Sequence, residues 1–375
     1  MVEKMIKVLI VANGAKEFVN KFLIPTIRYL KEQGWQVDVA CSVDADVPIC
    51  DNLYNMSWKR SPFTFNTFKG IRELKKLIAQ NEYDIVYCHT PVGGLVSRLA
   101  SRNARKKGMK VVYCAHGLHF YNGAPIINWL LYYPMEKWMS NMTDMFITIN
   151  TEDYERVRKD FNHRMYVEII QGIGVDFNRL NVENRETVRK IYRDRLNIPQ
   201  NAEVLIYVAE ILKNKNQQML INALRHLHDK GREMFLLLPG PDHSKGEFKK
   251  LADELGLKNH VRFLDWRCDI GQLMAASDLC VASSIREGFG INLVEALYCH
   301  LPVVAVDNRG HRTIIKDTVN GFLVPLNDAK AMAERVLEIM DNKELYKRFS
   351  NVNVEKYRCE NIAKEIYGYL LKVIR

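Results

Sequence analysis

No segment of this 375-residue chain carries the roughly twenty consecutive apolar residues that a membrane-crossing helix needs. The N-terminus, MVEKMIKVLIVANG, starts charged, but its apolar run from Val8 to Ala12 is short and no small-residue cleavage site follows, so a secretory leader is not expected. The eight cysteines, Cys41, Cys50, Cys88, Cys114, Cys268, Cys280, Cys299 and Cys359, form no CxxC pair. Several lie inside apolar runs, and all are read as buried, reduced thiols. Twenty Gly and 11 Pro are too few for a fibrous or disordered chain. The GIGVD segment at Gly172 lacks the third glycine of a dinucleotide fingerprint, and no Walker lysine motif exists, so neither NAD binding nor ATP hydrolysis is supported. A cytoplasmic location is the expectation.

What remains is an ordinary globular composition, 47% hydrophobic and 26% charged, with a length that suggests two domains. The net charge of +10 is spread over both halves: 23 basic against 17 acidic residues up to Gly172, and 31 against 27 after it. Such a surface favours anionic ligands but lacks the concentrated stripe of a nucleic-acid binder, so no nucleic-acid partner is expected. The densest basic run, RLASRNARKKGMK, carries Arg98, Arg102, Arg105, Lys106, Lys107 and Lys110. It reads equally as the solvated face of a helix or as a peripheral contact with an anionic membrane.

Short β-branched runs alternate with helix-length segments throughout. IKVLIVA, VDVAC, DIVYC, KVVYC, MFITIN and YVEII form one series; EVLIYVA, MFLLLP, HVRFL, DLCVASS, PVVAV and GFLVP form a second. This alternation predicts an α/β protein with two doubly wound parallel sheets. The divisions fall at 1–172, 173–355 and 356–375, the last an amphipathic terminal helix, and the ligand site is expected in the cleft the two sheets face. The segment IINWLLYYPMEKWM gathers Trp129, Tyr132, Tyr133 and Trp138, read chiefly as core of the N-terminal domain.

The segment SDLCVASSIREGFGINLVEALYCHLPVVAVDNRGH reads as a buried strand, a glycine-bearing turn and a helix. Free amides near Gly290, Ile291 and Asn292 at the helix start suit an anion. Glu287 precedes this turn and Glu295 follows it, so the two carboxylates can accept hydrogen bonds from hydroxyls at opposite ends of a nucleotide diphosphate derivative. His116, at the end of the strand KVVYC, faces the expected cleft, and His119 follows at H-x-x-H spacing. No nearby third Cys, His or carboxylate completes a metal set for that pair. Asp44-Ala45-Asp46 is formally a DxD and is read as a loop.

The E-x7-E spacing, the EGFG turn, LPVVA and NGFLVP resemble the C-terminal half of retaining family 4 glycosyltransferases with GT-B architecture. HTPVGG, AHGLHFYNGAP, NWLLYYPMEKW and TINTEDYERV extend the likeness to bacterial exopolysaccharide and capsule enzymes of the EpsD type. The resemblance implies two Rossmann-like domains with the terminal helix crossing back to the first. It implies a metal-independent, retaining hexosyl or N-acetylhexosaminyl transfer without cofactor, from a donor taken here as UDP-linked to a polyprenyl-diphosphate-linked saccharide, by same-face attack. It further implies catalytic roles for His116, Glu287 and Lys215, and donor contacts from Gly14, Phe289, Gly290, Ile291, Asn292 and Glu295. Two positions depart from the family pattern, Ala209 for a glycine and Glu210 for an arginine, which shifts phosphate neutralisation to Lys213 or Lys215. The rival readings are a sugar-nucleotide epimerase or hydrolase, and a non-catalytic nucleotide-sugar-binding scaffold.

Overall fold

The computed structural model describes residues 5–59 and 64–375. The chain divides into two compact units, Met1–Gly174 with Tyr357–Arg375, and Val175–Lys356. Sequence patterning puts the divisions after residues 172 and 355; in the structure they follow Gly174 and Lys356. Gly174 explains the first difference: its φ is +84°, and a Cβ there would stand 2.7 Å from Cα of Cys359, so it is held against the terminal helix of the first unit.

The first unit contains β1 (Lys7–Gly14), β2 (Gln36–Ser42), β3 (Asn52–Asn55), β4 (Ile85–His89), β5 (Lys110–Ala115), β6 (Met145–Thr148) and β7 (Tyr166–Ile169). They form a seven-stranded parallel sheet ordered β3-β2-β1-β4-β5-β6-β7. Both faces are covered, so the central strands are nearly continuous apolar runs, with Val8 through Ala12 inaccessible to solvent. The edge strand β3, NLYN, is the one with no apolar run. It becomes a strand only by pairing with β2.

The second unit contains β8 (Val204–Ile206), β9 (Phe235–Leu238), β10 (Val261–Phe263), β11 (Leu279–Ala282), β12 (Val303–Val306) and β13 (Phe322–Val324), in the order β10-β9-β8-β11-β12-β13. Each sheet reverses its winding once, between β1 and β4 and between β8 and β11. The carboxyl ends of those strand pairs form the crevice where open α/β sheets bind ligands.

The terminal helix Cys359–Ile374 packs in the first unit. Tyr367 meets Tyr29 edge-on and Trp35 at a tilt, the Tyr369 hydroxyl donates to the Ile169 carbonyl at 3.1 Å, and Lys372 pairs with Glu168. Its apolar positions, including Ile362, Ile366 and Leu370, are buried. Among the described residues no helix is long and apolar enough to cross a membrane.

Candidate active site

In the second unit, the turn Lys213–Lys215 follows β8 and the turn from Ser283 to Gly290 follows β11, so the winding reversal brings them side by side. Backbone and side-chain bonds lock them together. Ile285 N–H donates to the Asn214 carbonyl at 2.8 Å, and the Ser283 hydroxyl donates to the Lys215 carbonyl at 2.7 Å. The result is a contact between Lys215 Nζ and Glu287 Oε1 at 2.5 Å. The Ser284 hydroxyl reaches the same oxygen at 2.7 Å and meets the Tyr207 hydroxyl at 2.6 Å. Burial works to raise the Glu287 carboxyl, but Lys215, His311 and the Ser284 hydrogen bond outweigh it and hold it below its ordinary value.

Gly290 starts the helix Ile291–Tyr298 in a left-handed conformation, φ +110°, which favours glycine. Leu293, Ala296 and Leu297 face inward as the spacing predicts, and Phe289 is buried, while Ile291 and Asn292 are half-buried at the helix start. Glu295 is also buried and its carboxylate is in direct contact with the Arg179 guanidinium. The two carboxylates therefore differ: Glu287 answers a lysine of the Lys213–Lys215 turn, Glu295 an arginine of the Asn178–Leu180 turn.

Three residues that sequence reasoning missed complete this surface. Asn308 caps the helix Arg309–Ile314, accepting from Gly310 and His311 amides, and donates to the Ser284 carbonyl at 2.9 Å. The buried His311 bonds the Val306 carbonyl through Nδ1, and its Nε2 has no partner. Arg309 Nε reaches the Glu287 carbonyl at 3.3 Å. Gly310 makes this closeness possible, because a Cβ there would lie 2.7 Å from Cβ of Glu287 and 2.8 Å from the Phe289 carbonyl. The segment DNRGH carried the signal, an Asx cap before a glycine, but nothing in the sequence put it beside EGFG. Lys213 and Glu210 are both exposed.

In the first unit, Gly14 ends β1 in extended conformation, and a side chain there would meet Asp44 only at ordinary contact, 3.6 Å. Protein packing does not require that glycine. Asp44 lies in a loop, as read, and accepts from the Lys16 amide at 2.8 Å. His116 follows β5 and lines a cavity of about 200 Å3 with His119, Tyr132 and Glu136. Burial pushes its imidazole down to about 4. Its ring partner is His89 at the end of β4, 3.1 Å away, a residue present in the HTPVGG motif but not singled out.

The expectation that nothing completes a metal set near His116 needs correction. Parallel pairing of β4 and β5 brings in His89 and Cys114, and ligand atoms of the three lie within 4.8 Å of one another. His119 goes elsewhere, stacked on Tyr132 at 4.5 Å. Cys114 is buried with its thiol pushed up to about 12, so binding a cation there would first require ionising it.

Three further readings change. Arg98 of the basic run is inaccessible to solvent, forked onto Glu136 with bonds of 2.7 and 3.1 Å. Of the aromatic segment, now the helix Ile126–Met139, Trp129, Tyr132 and Tyr133 pack against the core, but Trp138 is 53% exposed, together with Ile126, Ile127, Leu130 and Leu131. All eight cysteines are free thiols, yet Cys268 is exposed and Cys50 and Cys299 only half-buried, because they fall in loops and at a helix end rather than in strands.

Residues 188–355 match the family model described as glycosyl transferases group 1, and residues 7–150 the one described as glycosyl transferase 4-like. The provisionally assigned glycosyltransferase EpsD of Bacillus subtilis (strain 168) is 41% identical over 327 residues, 87% of this chain and 86% of that protein. An Escherichia coli enzyme named UDP-Gal:alpha-D-GlcNAc-diphosphoundecaprenol alpha-1,3-galactosyltransferase is 26% identical over 80% of this chain and 77% of its own. Anabaena HepE, crystallised with UDP and glucose, superposes with a TM-score of 0.79 at 22% identity, covering 98% of this chain and all of that one.

Proposed function

Because this chain belongs to the group 1, family 4-like glycosyltransferases of GT-B fold, exopolysaccharide type, we propose that it moves a hexose or N-acetylhexosamine from a UDP-linked donor to a polyprenyl-diphosphate-linked saccharide with retention of configuration. The observation that carries this reading is the convergence, at the winding reversal of the second unit, of Lys215, Glu287 and the start of the helix Ile291–Tyr298. A departing diphosphate needs positive charge and oriented N–H groups where its own charge develops. In this reading Lys215 and the amides at Gly290, Ile291 and Asn292 provide both. Glu287, ionised and half-buried, accepts hydroxyls of the donated sugar; Glu295 takes the ribose by exchanging part of its contact with Arg179. His116 serves as a neutral contact to the sugar from the first unit, and attack comes on the face the diphosphate leaves, with a diphosphate oxygen taking the acceptor proton. No metal or cofactor enters. The donor and acceptor named in the E. coli relative support this choice of substrate classes.

A peripheral membrane contact is part of the same reading. The exposed aliphatic face of the helix Ile126–Met139 runs into Trp138. Trp138 lines a cavity of about 850 Å3 with Arg72, Lys75, Arg102, Arg105 and Lys106; Arg105 is forked onto Asp144, so Arg72, Lys75, Arg102 and Lys106 carry the cationic character of this surface. An apolar stripe bordered by cations suits an anionic bilayer surface, where a lipid-linked acceptor resides.

Thermal shift against nucleotides and nucleotide sugars without added metal tests the donor, since a ligand at a hundred times its Kd adds about 2.7 kcal/mol to apparent stability. Transfer to a lipid-linked acceptor tests the reaction. Stabilisation by UDP and one UDP-sugar followed by transfer supports the proposal. Binding without turnover would identify a scaffold, and donor consumption without acceptor a hydrolase or epimerase.

A further inference from the structure

Taking His116 as the donor-facing histidine of that reading, we infer that His89 is its positioning residue: the His89 Nδ1–H donates to His116 Nε2 and fixes His116 as the tautomer that carries its proton on Nδ1.

The two rings come from neighbouring parallel strands, His89 ending β4 and His116 following β5, and their facing nitrogens are 3.1 Å apart. Phe18 covers both, at ring separations of 5.6 Å and 4.8 Å, and Tyr87 packs edge-on against His89 at 4.2 Å. Burial lowers the basicity of both imidazoles, so the contact is between neutral rings and one proton lies in it. Which ring owns that proton follows from the other edge of His89. Its Nε2 is buried without a partner. A buried bare lone pair is tolerated more readily than a buried orphan N–H, so the His89 proton belongs on Nδ1. His116 must then accept at Nε2 and present an N–H from Nδ1, a defined donor for a hydroxyl oxygen.

The backbone beneath is built to hold this pair. Thr90, immediately after His89, has φ +64° and ψ 155°, a region that non-glycine residues occupy only when packing enforces it. Pro91 opens the next helix, the Thr90 hydroxyl accepts from the Gly93 amide at 3.3 Å, and a Cβ at Gly94 would overlap the Tyr113 ring. The HTPVGG segment therefore sustains a strained turn whose effect is to end β4 with His89 against His116.

Asparagine and leucine at position 89 separate the hydrogen bond from the shape, because the Asn amide places an N–H near the position of Nδ1 and Leu fills similar volume without one. His89→Leu should lower kcat by about ten- to a hundredfold, the scale for outer-shell partners of functional histidines, with the donor KM little changed. His89→Asn should recover most of that loss, and in a His116→Ala background His89→Leu should cost nothing further. Ring 15N spectra of histidine-labelled enzyme should show His116 as one tautomer in the wild type and as a mixture in His89→Leu. Full turnover by a folded His89→Leu enzyme, an Asn variant no better than Leu, or additive losses with His116→Ala would overturn the inference. So would loss of activity on chelator treatment restored by zinc, which would make His89, Cys114 and His116 a metal site. Wild-type turnover by His116→Ala alone would instead refute the functional reading, and the 15N spectra would still decide the pairing.

Discussion

Lys215 Nζ and Glu287 Oε1 stand 2.5 Å apart although 72 positions separate them in sequence. Adjacency of β8 and β11 alone makes them neighbours. The charge of the lysine is thus already balanced before a diphosphate arrives, and the ligand must join this pair rather than meet a bare cation. Glu210, where the family pattern has an arginine, is exposed and supplies no positive charge at this site.

Removing either partner should therefore be costly in transfer. Lys215→Ala and Glu287→Ala are each expected to lose about a hundredfold or more in kcat, the scale for deleting one group that meets developing charge. Steady-state transfer of a labelled sugar checks this, and near-normal rates in both variants would refute the site assignment.

The same pair predicts an acid dependence of stability. Glu287 has a lower pKa folded than unfolded, despite its burial, because Lys215, His311 and Ser284 favour its charged form. Protonation then favours the unfolded chain. Its contribution is fully present above the ordinary carboxylate value of 4.5 and is lost as pH falls through the lower, folded value. Thermal unfolding followed from pH 7 into that acidic range should show a fall in Tm that is shallower in Glu287→Gln; equal slopes would refute the linkage.

Much of this architecture was legible in the chain because buried parallel strands are apolar runs, as in VLIVA and VVAV; a single charge interrupts β2 at Asp38, β7 at Glu168 and β10 at Arg262 without hiding them, whereas NLYN of β3 carried too little of the signature to be found. The turn EGFG and the strand-end His116 were legible for the same reason: each follows a strand whose end the pattern marks. What the sequence could not show was lateral adjacency. His89, Asn308, Arg309 and His311 matter through neighbours brought in by strand order, which no local spacing encodes. For Ile126–Met139 the core is the preferred reading and a membrane interface or acceptor groove the lesser one, because a segment whose first eight residues are apolar except for Asn128 gives little periodic signal of which side is wet.

Gly310→Ala probes the approach of the helix Arg309–Ile314 to the EGFG turn. Its Cβ would meet Cβ of Glu287 at 2.7 Å and Phe289 backbone atoms at 2.8 and 2.9 Å, none of which is a flexible chain end. Overpacking of that kind costs about 1–3 kcal/mol. Urea unfolding should show that loss, and donor affinity should fall with it because the turn carrying Glu287 must shift; unchanged donor binding would show that the turn moves without consequence.

The membrane contact predicts binding to vesicles of phosphatidylglycerol mixed with phosphatidylcholine, and little binding to phosphatidylcholine alone. Exposed Ile126 and Leu130 supply the apolar part; Arg102 and Lys106 the cationic part, about 1 kcal/mol per charge near the surface. Ile126→Glu with Leu130→Glu should abolish sedimentation with vesicles at any salt. Arg102→Gln with Lys106→Gln should weaken it and flatten its salt dependence. Equal binding by all variants would place the contact elsewhere.

The final prediction concerns what holds that helix down. Arg98 forks onto Glu136, donates to the Gly94 carbonyl at 2.8 Å and lies 4.1 Å over the Tyr113 ring, so its buried charge is compensated by these three neighbours. Taking one partner away leaves the other charged and buried, at a cost of about 3–5 kcal/mol, whereas replacing both with apolar residues of similar volume is often near neutral. Arg98→Met should therefore destabilise the chain severely, and Arg98→Met with Glu136→Leu should recover most of the loss in urea unfolding. Because Glu136 is the buried side of the helix whose opposite face carries Leu130 and Leu131, the single variant should also weaken vesicle binding. The double variant should restore both together; recovery of stability without recovery of binding would mean that the ion pair sets the orientation of the helix, not merely its attachment.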